Sequence, residues 1–303
     1  MCGRWIRQAL TAGVVQPLIV SAEKENSVYE KKSVVADGFH TTYLEAGNPD
    51  HDTIVLVHDG GFGSTAELCW SGMIPLLSTQ FHILAPDLLG WGGTDKVVFF
   101  DRPPFAPRVK HIAAFCEVLG VDRAHFVGAS FGGSVVLRAV TDPSNPWPVD
   151  QAVSISGTGG PYRLPEGIAA LADFTPSLED AAKMTGLTVR SLDGMDDHIR
   201  QRYENSLIPG HWEAMTAPRL SNPSAPRPQT TDPFLELWTN IATPVLLVEG
   251  THDELLESGW AKKLADLTPH ACAVEVDYAH EPNIDAPELT SRITIDFLTG
   301  ATS

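Results

Sequence analysis

Cysteine is scarce in this chain. Only Cys2, Cys69, Cys116 and Cys272 occur in 303 residues, and no two form a C-x-x-C pair. That spacing excludes a disulfide-built scaffold and a thiolate metal knot, and it reads as four reduced thiols in a cytoplasmic protein. Positive charge is also short: 21 Lys and Arg stand against 38 Asp and Glu, a net charge of −17. A surface of that sign argues against nucleic acid or an anionic membrane as a partner held through a basic face. No apolar run is long enough to span a bilayer. The eleven histidines form no cluster with metal-ligand spacing, so neither a metal nor a cofactor is expected. Arg4 and Arg7 precede a mildly apolar stretch over 9–20, as in a weak signal segment. Gln16 and Pro17 interrupt it and no small-residue cleavage site follows, so it reads as an N-terminal extension lying on the domain.

What is present is a soluble globular composition, 43% hydrophobic and 19% charged. Short apolar, β-rich runs over 34–36, 41–46, 53–58, 81–85, 124–127, 151–155, 244–248 and 272–276 alternate with helical patterns over 65–77, 109–119, 133–139, 258–267 and 288–298. Strands alternating with helices imply an α/β class, with a mostly parallel sheet covered on both faces. Residues 157–240 break that rhythm. They are rich in Pro, Met and aromatics, with short helices over 180–184, 197–206 and 211–216 and a Pro-rich loop over 222–228. The segment reads as a helical lid inserted into a core formed by 1–156 and 241–303.

The most informative stretch is Gly128-Ala129-Ser130-Phe131-Gly132, a G-x-S-x-G between a strand and a helix. Such a turn strains the serine backbone and turns its hydroxyl outward, while glycines leave room for the tight fold. A serine nucleophile needs a base and a group to orient that base. Asp253 follows the strand over 244–248, and His280 follows the strand over 272–276. Both therefore reach the sheet edge where α/β proteins bind ligands, in the order Ser, acid, His. His280 is the general base and Asp253 its orienter, with Asp277 a weaker candidate for the acid and His252 structural. A glycine-rich turn, Asp59-Gly60-Gly61-Phe62-Gly63, follows the strand over 53–58. The backbone N–H groups of Gly60 and Phe131 are the expected oxyanion donors. No Lys-Ser/Thr follows those glycines, which argues against a phosphate loop.

With these residues in place, the chain resembles the α/β-hydrolase superfamily over nearly its whole length. Ala85-Pro86-Asp87-Leu88-Leu89-Gly90-Trp91-Gly92-Gly93-Thr94 is similar to the superfamily's usual strand-to-loop segment. Within the superfamily it is most similar to the meta-cleavage-product hydrolases, which cleave carbon–carbon bonds in ring-opened aromatic catabolites. Arg202-Tyr203-Glu204-Asn205-Ser206-Leu207-Ile208-Pro209-Gly210 resembles their lid. The resemblance implies an eight-stranded sheet with an inserted lid and a small-molecule substrate, a vinylogous diketone acid. It also implies a homodimer and puts Arg202 on the dienoate. The other reading of Arg202 is a surface ion pair with Glu204 or Asp197. Gly61, Ala129 and Glu281 complete the expected substrate contacts. Three departures loosen the substrate assignment: Ala129 and Phe131 replace the usual Asn and Met around the nucleophile, Glu281 replaces the usual Trp after the histidine, and Asp59 interrupts the oxyanion turn. A carboxylesterase acting on small esters is the alternative. A non-hydrolytic receptor or a cofactor-free oxygenase on the same scaffold is a more distant one.

Overall fold

A computed structural model describes residues 28–100, 102–144, 147–217 and 232–301. The N-terminal extension and the Pro-rich loop over 222–228 lie outside the described residues. The fold opens on a hairpin, β1 (Tyr29–Ala36) and β2 (Phe39–Ala46), turning at Asp37-Gly38. Six further strands follow: β3 (Thr53–Val57), β4 (His82–Pro86), β5 (Ala124–Ala129), β6 (Val149–Ile155), β7 (Val245–Gly250) and β8 (Ala271–Val276). They form one eight-stranded sheet in the order β1-β2-β4-β3-β5-β6-β7-β8. β1 and β2 are antiparallel to their neighbours, and every pairing from β4 to β8 is parallel. The central strands are buried on both faces, which explains their unbroken apolar runs. One core cluster lies on each face of the sheet.

Helices α3 (Phe105–Val118), α4 (Phe131–Thr141), α10 (Trp260–Ala265) and α12 (Pro287–Thr299) cover the sheet. The single helix expected over 65–77 is two, α1 (Ala66–Trp70) and α2 (Ile74–Leu77). Ser71 and Gly72 separate them, and Pro75, which has no N–H to donate into a preceding turn, sits in the first turn of α2. Between β6 and β7 the chain runs through α5 (Pro165–Ala172), α6 (Leu178–Gly186), α7 (Asp196–Ser206), α8 (His211–Thr216) and α9 (Phe234–Trp238). Phe234 and Trp238 of α9 belong to the core cluster of the sheet, so the end of this segment packs as core. The short α11 (Pro282–Asp285) follows the β8 loop. Cys69 and Cys116 are free and buried. Cys272 is disulfide-bonded, which corrects the reading of that residue as a reduced thiol.

Candidate active site

Ser130 stands between the end of β5 and the start of α4 with φ 51° and ψ −113°, a left-handed backbone that non-glycine residues rarely adopt. The surroundings fix that conformation. Its N–H donates to Ile155 O at 2.7 Å, and Gly132 packs so closely on β3 that a Cβ there would lie 2.1 Å from Val57 O. The serine hydroxyl therefore points out of the sheet edge.

His280 Nε2 lies 2.8 Å from Ser130 Oγ, and His280 Nδ1 lies 2.7 Å from Asp253 Oδ2. Asp253 is positioned by Leu255 N–H, which donates to its other oxygen at 2.8 Å. His280 is 3% exposed. Burial works against its protonated form, but the charge and hydrogen bond of Asp253, then Glu281 and Asp59, outweigh burial and raise its pKa. The arrangement can accept the serine proton at Nε2 and stabilise the resulting imidazolium through Nδ1. Asp277 lies apart: it is exposed and pairs with His252 and Arg190 at the surface.

The turn after β3 faces this serine. Gly60 and Phe131 touch: a Cβ on Gly60 would lie 2.6 Å from Phe131 Cβ. Phe131 is the first residue of α4, so its N–H has no acceptor within the helix. Two further groups hold the turn: sequence reasoning did not single out His58, and it named Asp59 only as a departure within the glycine turn. His58 Nε2 accepts from Leu88 N–H at 2.9 Å, so its proton is on Nδ1, which donates to Asp59 O at 2.6 Å. Burial lowers the pKa of His58 and keeps it neutral. Asp59 accepts from Gly61 N–H and from the Ser64 hydroxyl.

Helices α7 and α8 pack over the same turn. Arg202 on α7 donates from Nη1 to Phe62 O at 3.1 Å, and Asn205 Nδ2 donates to Gly63 O at 3.0 Å. His211 on α8 accepts from Gly63 N–H at 2.9 Å through Nε2 and donates through Nδ1 to Gly90 O at 3.0 Å. Gly63 has φ +70°, and a Cβ there would lie 2.0 Å from Arg202 O. That close approach is why the turn ends on glycine. Arg202 and Asn205 are one helical turn apart on the buried face of α7.

Arg202 is 1% exposed and pairs with neither Glu204 nor Asp197. Its Nη2 lies 3.9 Å from Glu281 Oε2, a loose ion pair in which that oxygen has no hydrogen-bond partner. Burial works against the Asp59 carboxylate, but the charge of Arg202, then His58 and the bonds from Ser64 and Gly61, hold its pKa below the usual value. Glu281 goes the other way. Burial and the charge of Asp59 push it up to about 7, against the pull of Arg202 and His280. Beside the histidine, then, sit one guanidinium, one ionised carboxylate and one carboxyl that holds its proton to near neutrality.

These groups line a cavity of about 670 Å³ together with Trp91, Arg108, Met184 and Leu255. Ser130, Gly60, Gly61, Phe131, Arg202, His280 and Glu281 all line it. Ala129 does not. It is the last residue of β5, its side chain points to the sheet face opposite its neighbours, and it is 0% exposed in the core cluster. The expectation that Ala129 contacts substrate is corrected. Among the described residues no group of His, Cys, Asp and Glu is arranged to hold a metal ion.

A model of the alpha/beta hydrolase family matches residues 54–293, most of the chain. The chain belongs to this family. Among its relatives, 2-hydroxy-6-oxo-2,4-heptadienoate hydrolase of Pseudomonas putida is 30% identical over 192 residues, 61% of this chain and 66% of the relative. The 2-hydroxy-6-oxo-6-(2'-aminophenyl)hexa-2,4-dienoic acid hydrolase of Metapseudomonas resinovorans is 27% identical over 91% of this chain and 93% of its own. The solved meta-cleavage product hydrolase CumD of Pseudomonas fluorescens IP01 superposes with a TM-score of 0.77 at 25% identity, covering 89% of this chain and 98% of that one. The family is therefore one of hydrolases, with carbon–carbon bond hydrolases among the similar members. No described helix is long and apolar enough to cross a membrane.

Proposed function

We propose that the chain is a serine hydrolase that cleaves a carbon–carbon bond of a vinylogous diketone acid, with Ser130, His280 and Asp253 as its catalytic triad. The observation that carries this reading is the unbroken hydrogen-bonded line from Ser130 through His280 to Asp253, opening on a cavity with a lid arginine. Ser130 Oγ attacks the ketone carbon, or activates a water to do so. His280 Nε2 takes the proton, and Asp253 holds the imidazolium. The N–H groups of Gly60 and Phe131 stabilise the oxyanion. Collapse of the tetrahedral adduct breaks the carbon–carbon bond. Its electron pair passes into the conjugated keto acid, which is then protonated. On the direct route, water releases the acyl group from Ser130. Arg202 and Gly61 flank the dienoate.

A second reading, a carboxylesterase, draws support from Asp59 and Glu281. Asp59 sets a negative charge beside Arg202, and Glu281 adds a second once it ionises above about pH 7, so an incoming substrate carboxylate has to meet them. The deciding experiment mixes purified enzyme with a dienoate and follows the loss of its absorbance, beside a short p-nitrophenyl ester. Rapid loss that Ser130→Ala abolishes supports carbon–carbon cleavage. An inert dienoate beside a rapidly cleaved ester makes the enzyme an esterase.

A further inference from the structure

Asp59, Arg202, His280 and Glu281 all line the cavity and meet at one end of it. A Cβ on Gly61 would lie 2.8 Å from Arg202 Nη1 and 3.0 Å from Asp59 Oδ1, so both groups close on that one glycine. Through its other terminal nitrogen, Nη2, the guanidinium lies 3.9 Å from Glu281 Oε2. The backbone fixes Glu281 there, since its N–H donates to Thr188 O at 2.8 Å. Two more ionisable groups pack against this end, His198 of α7 beside Arg202 and Cys69 of α1. Neither is charged near neutrality. Burial and Arg202 bring His198 down to about 4, and burial, Asp59 and Glu281 raise the Cys69 thiol well above 9.0. Asp59 and Glu281 also stand where the resemblance places a glycine and a tryptophan, both uncharged.

The charge beside Arg202 therefore turns on one proton. Arg202 holds Asp59 ionised against its burial, so those two charges offset each other. Glu281, lifted to about 7, is neutral while it keeps its proton and adds one negative charge when it loses it. A charge this deep is weakly screened and acts over several ångströms without contact. An anion seated beside Arg202 thus favours the protonated carboxyl. By reciprocity, the protonated carboxyl favours the anion. An uncharged ligand in the same place has no such coupling.

We propose that Glu281 is a specificity-determining residue that makes acceptance of a carboxylate at Arg202 proton-coupled: the site takes the anion with Glu281 as the neutral carboxyl and rejects it with Glu281 ionised. Binding above the midpoint of Glu281 takes up one proton from solvent, and release returns it. Glu281 acts through its charge and needs no contact with the ligand. The inference rests on the reading that puts Arg202 beside the dienoate of the substrate.

The test measures calorimetrically how sorbate, a short dienoate with no bond to cleave, and its uncharged amide bind the full chain. Titrations at about pH 6 and about pH 8.5 share one ionic strength, and sorbate stays ionised throughout. The Kd of sorbate should rise about tenfold, the effect of moving the carboxyl by one pKa unit, while that of the amide stays level. His280 titrates over the same range, so two variants separate the groups. Most of the rise should disappear in Glu281→Gln and persist in His280→Gln. Equal pH dependence for sorbate and its amide, a rise that persists in Glu281→Gln, or one that disappears in His280→Gln overturns the proposal, as does a failure of sorbate to bind at either pH. Should Glu281→Gln not fold, the amide comparison and His280→Gln still decide. A dienoate substrate that is cleaved beside sorbate binding that ignores pH removes the proton coupling and leaves carbon–carbon cleavage standing. An inert dienoate substrate beside proton-coupled sorbate binding does the reverse.

Discussion

Replacing Glu281 with Gln should make the protein more stable in alkali and change little in acid. Glu281 is 1% exposed, and burial together with Asp59 lifts its pKa from 4.5 to about 7. The folded protein therefore holds this proton more tightly than the unfolded chain does. Its contribution to stability is complete below the ordinary carboxyl value and is lost as pH rises through about 7. That difference in pKa corresponds to about 3 kcal/mol by linkage. Gln keeps the shape and the neutral charge of the protonated side chain, and Arg202 keeps Asp59, so the variant lacks this loss. Melts at about pH 4 should nearly coincide. At about pH 8.5 the variant should melt higher by roughly 6–12 °C, at the 2–4 °C per kcal/mol typical of a chain this size. Wild type and variant falling in parallel across that range would refute the claim that the carboxyl is neutral in the folded state. A variant less stable than wild type at high pH would show that the ionised Glu281–Arg202 pair is net favourable.

Ser130→Ala should remove several powers of ten in kcat with the melting temperature preserved, and a rate within tenfold of wild type would exclude Ser130 as the nucleophile. Protonated His280 cannot take the serine proton, and its pKa lies above the ordinary 6.5. Log kcat/KM should therefore rise with pH through a midpoint above that value; a midpoint below it contradicts the role of Asp253. Gly63→Ala forces a Cβ to 2.0 Å from Arg202 O at a positive φ. It should lower kcat and stability together, whereas the same change at the open turn glycine Gly120 should leave kcat alone. Cys69 is buried, and burial raises its thiol pKa well above 9.0. It should resist iodoacetamide in the native protein and react only after unfolding.

The framework was readable because its signals are periodic or local. The unbroken apolar runs of β3, β5 and β7 announce strands buried on both faces. Ser130, Asp253 and His280 each follow a strand, so all three meet at one sheet edge. Phe131 and Gly60 could be paired because a helix start and a glycine turn each leave N–H groups unused. What sequence did not disclose depends on which side chains meet beneath α7. Asp59 and Glu281 are 222 positions apart, and only the fold brings both against Arg202. Ala129 misled for a simpler reason. The resemblance, in which Asn stands before the nucleophile, suggested substrate contact, but strand alternation turns the Ala129 methyl group into the core. Arg108 carried no signal, since an arginine in an amphipathic helix normally faces water.

The bonds from Arg202, Asn205 and His211 to the Phe62–Gly63 backbone tie the turn that carries Gly60 to α7 and α8. The glycine turn beside Ser130 is therefore braced by side chains at least 140 positions further along the chain. A substitution on α7 or α8 can reach that turn through its backbone without touching the serine.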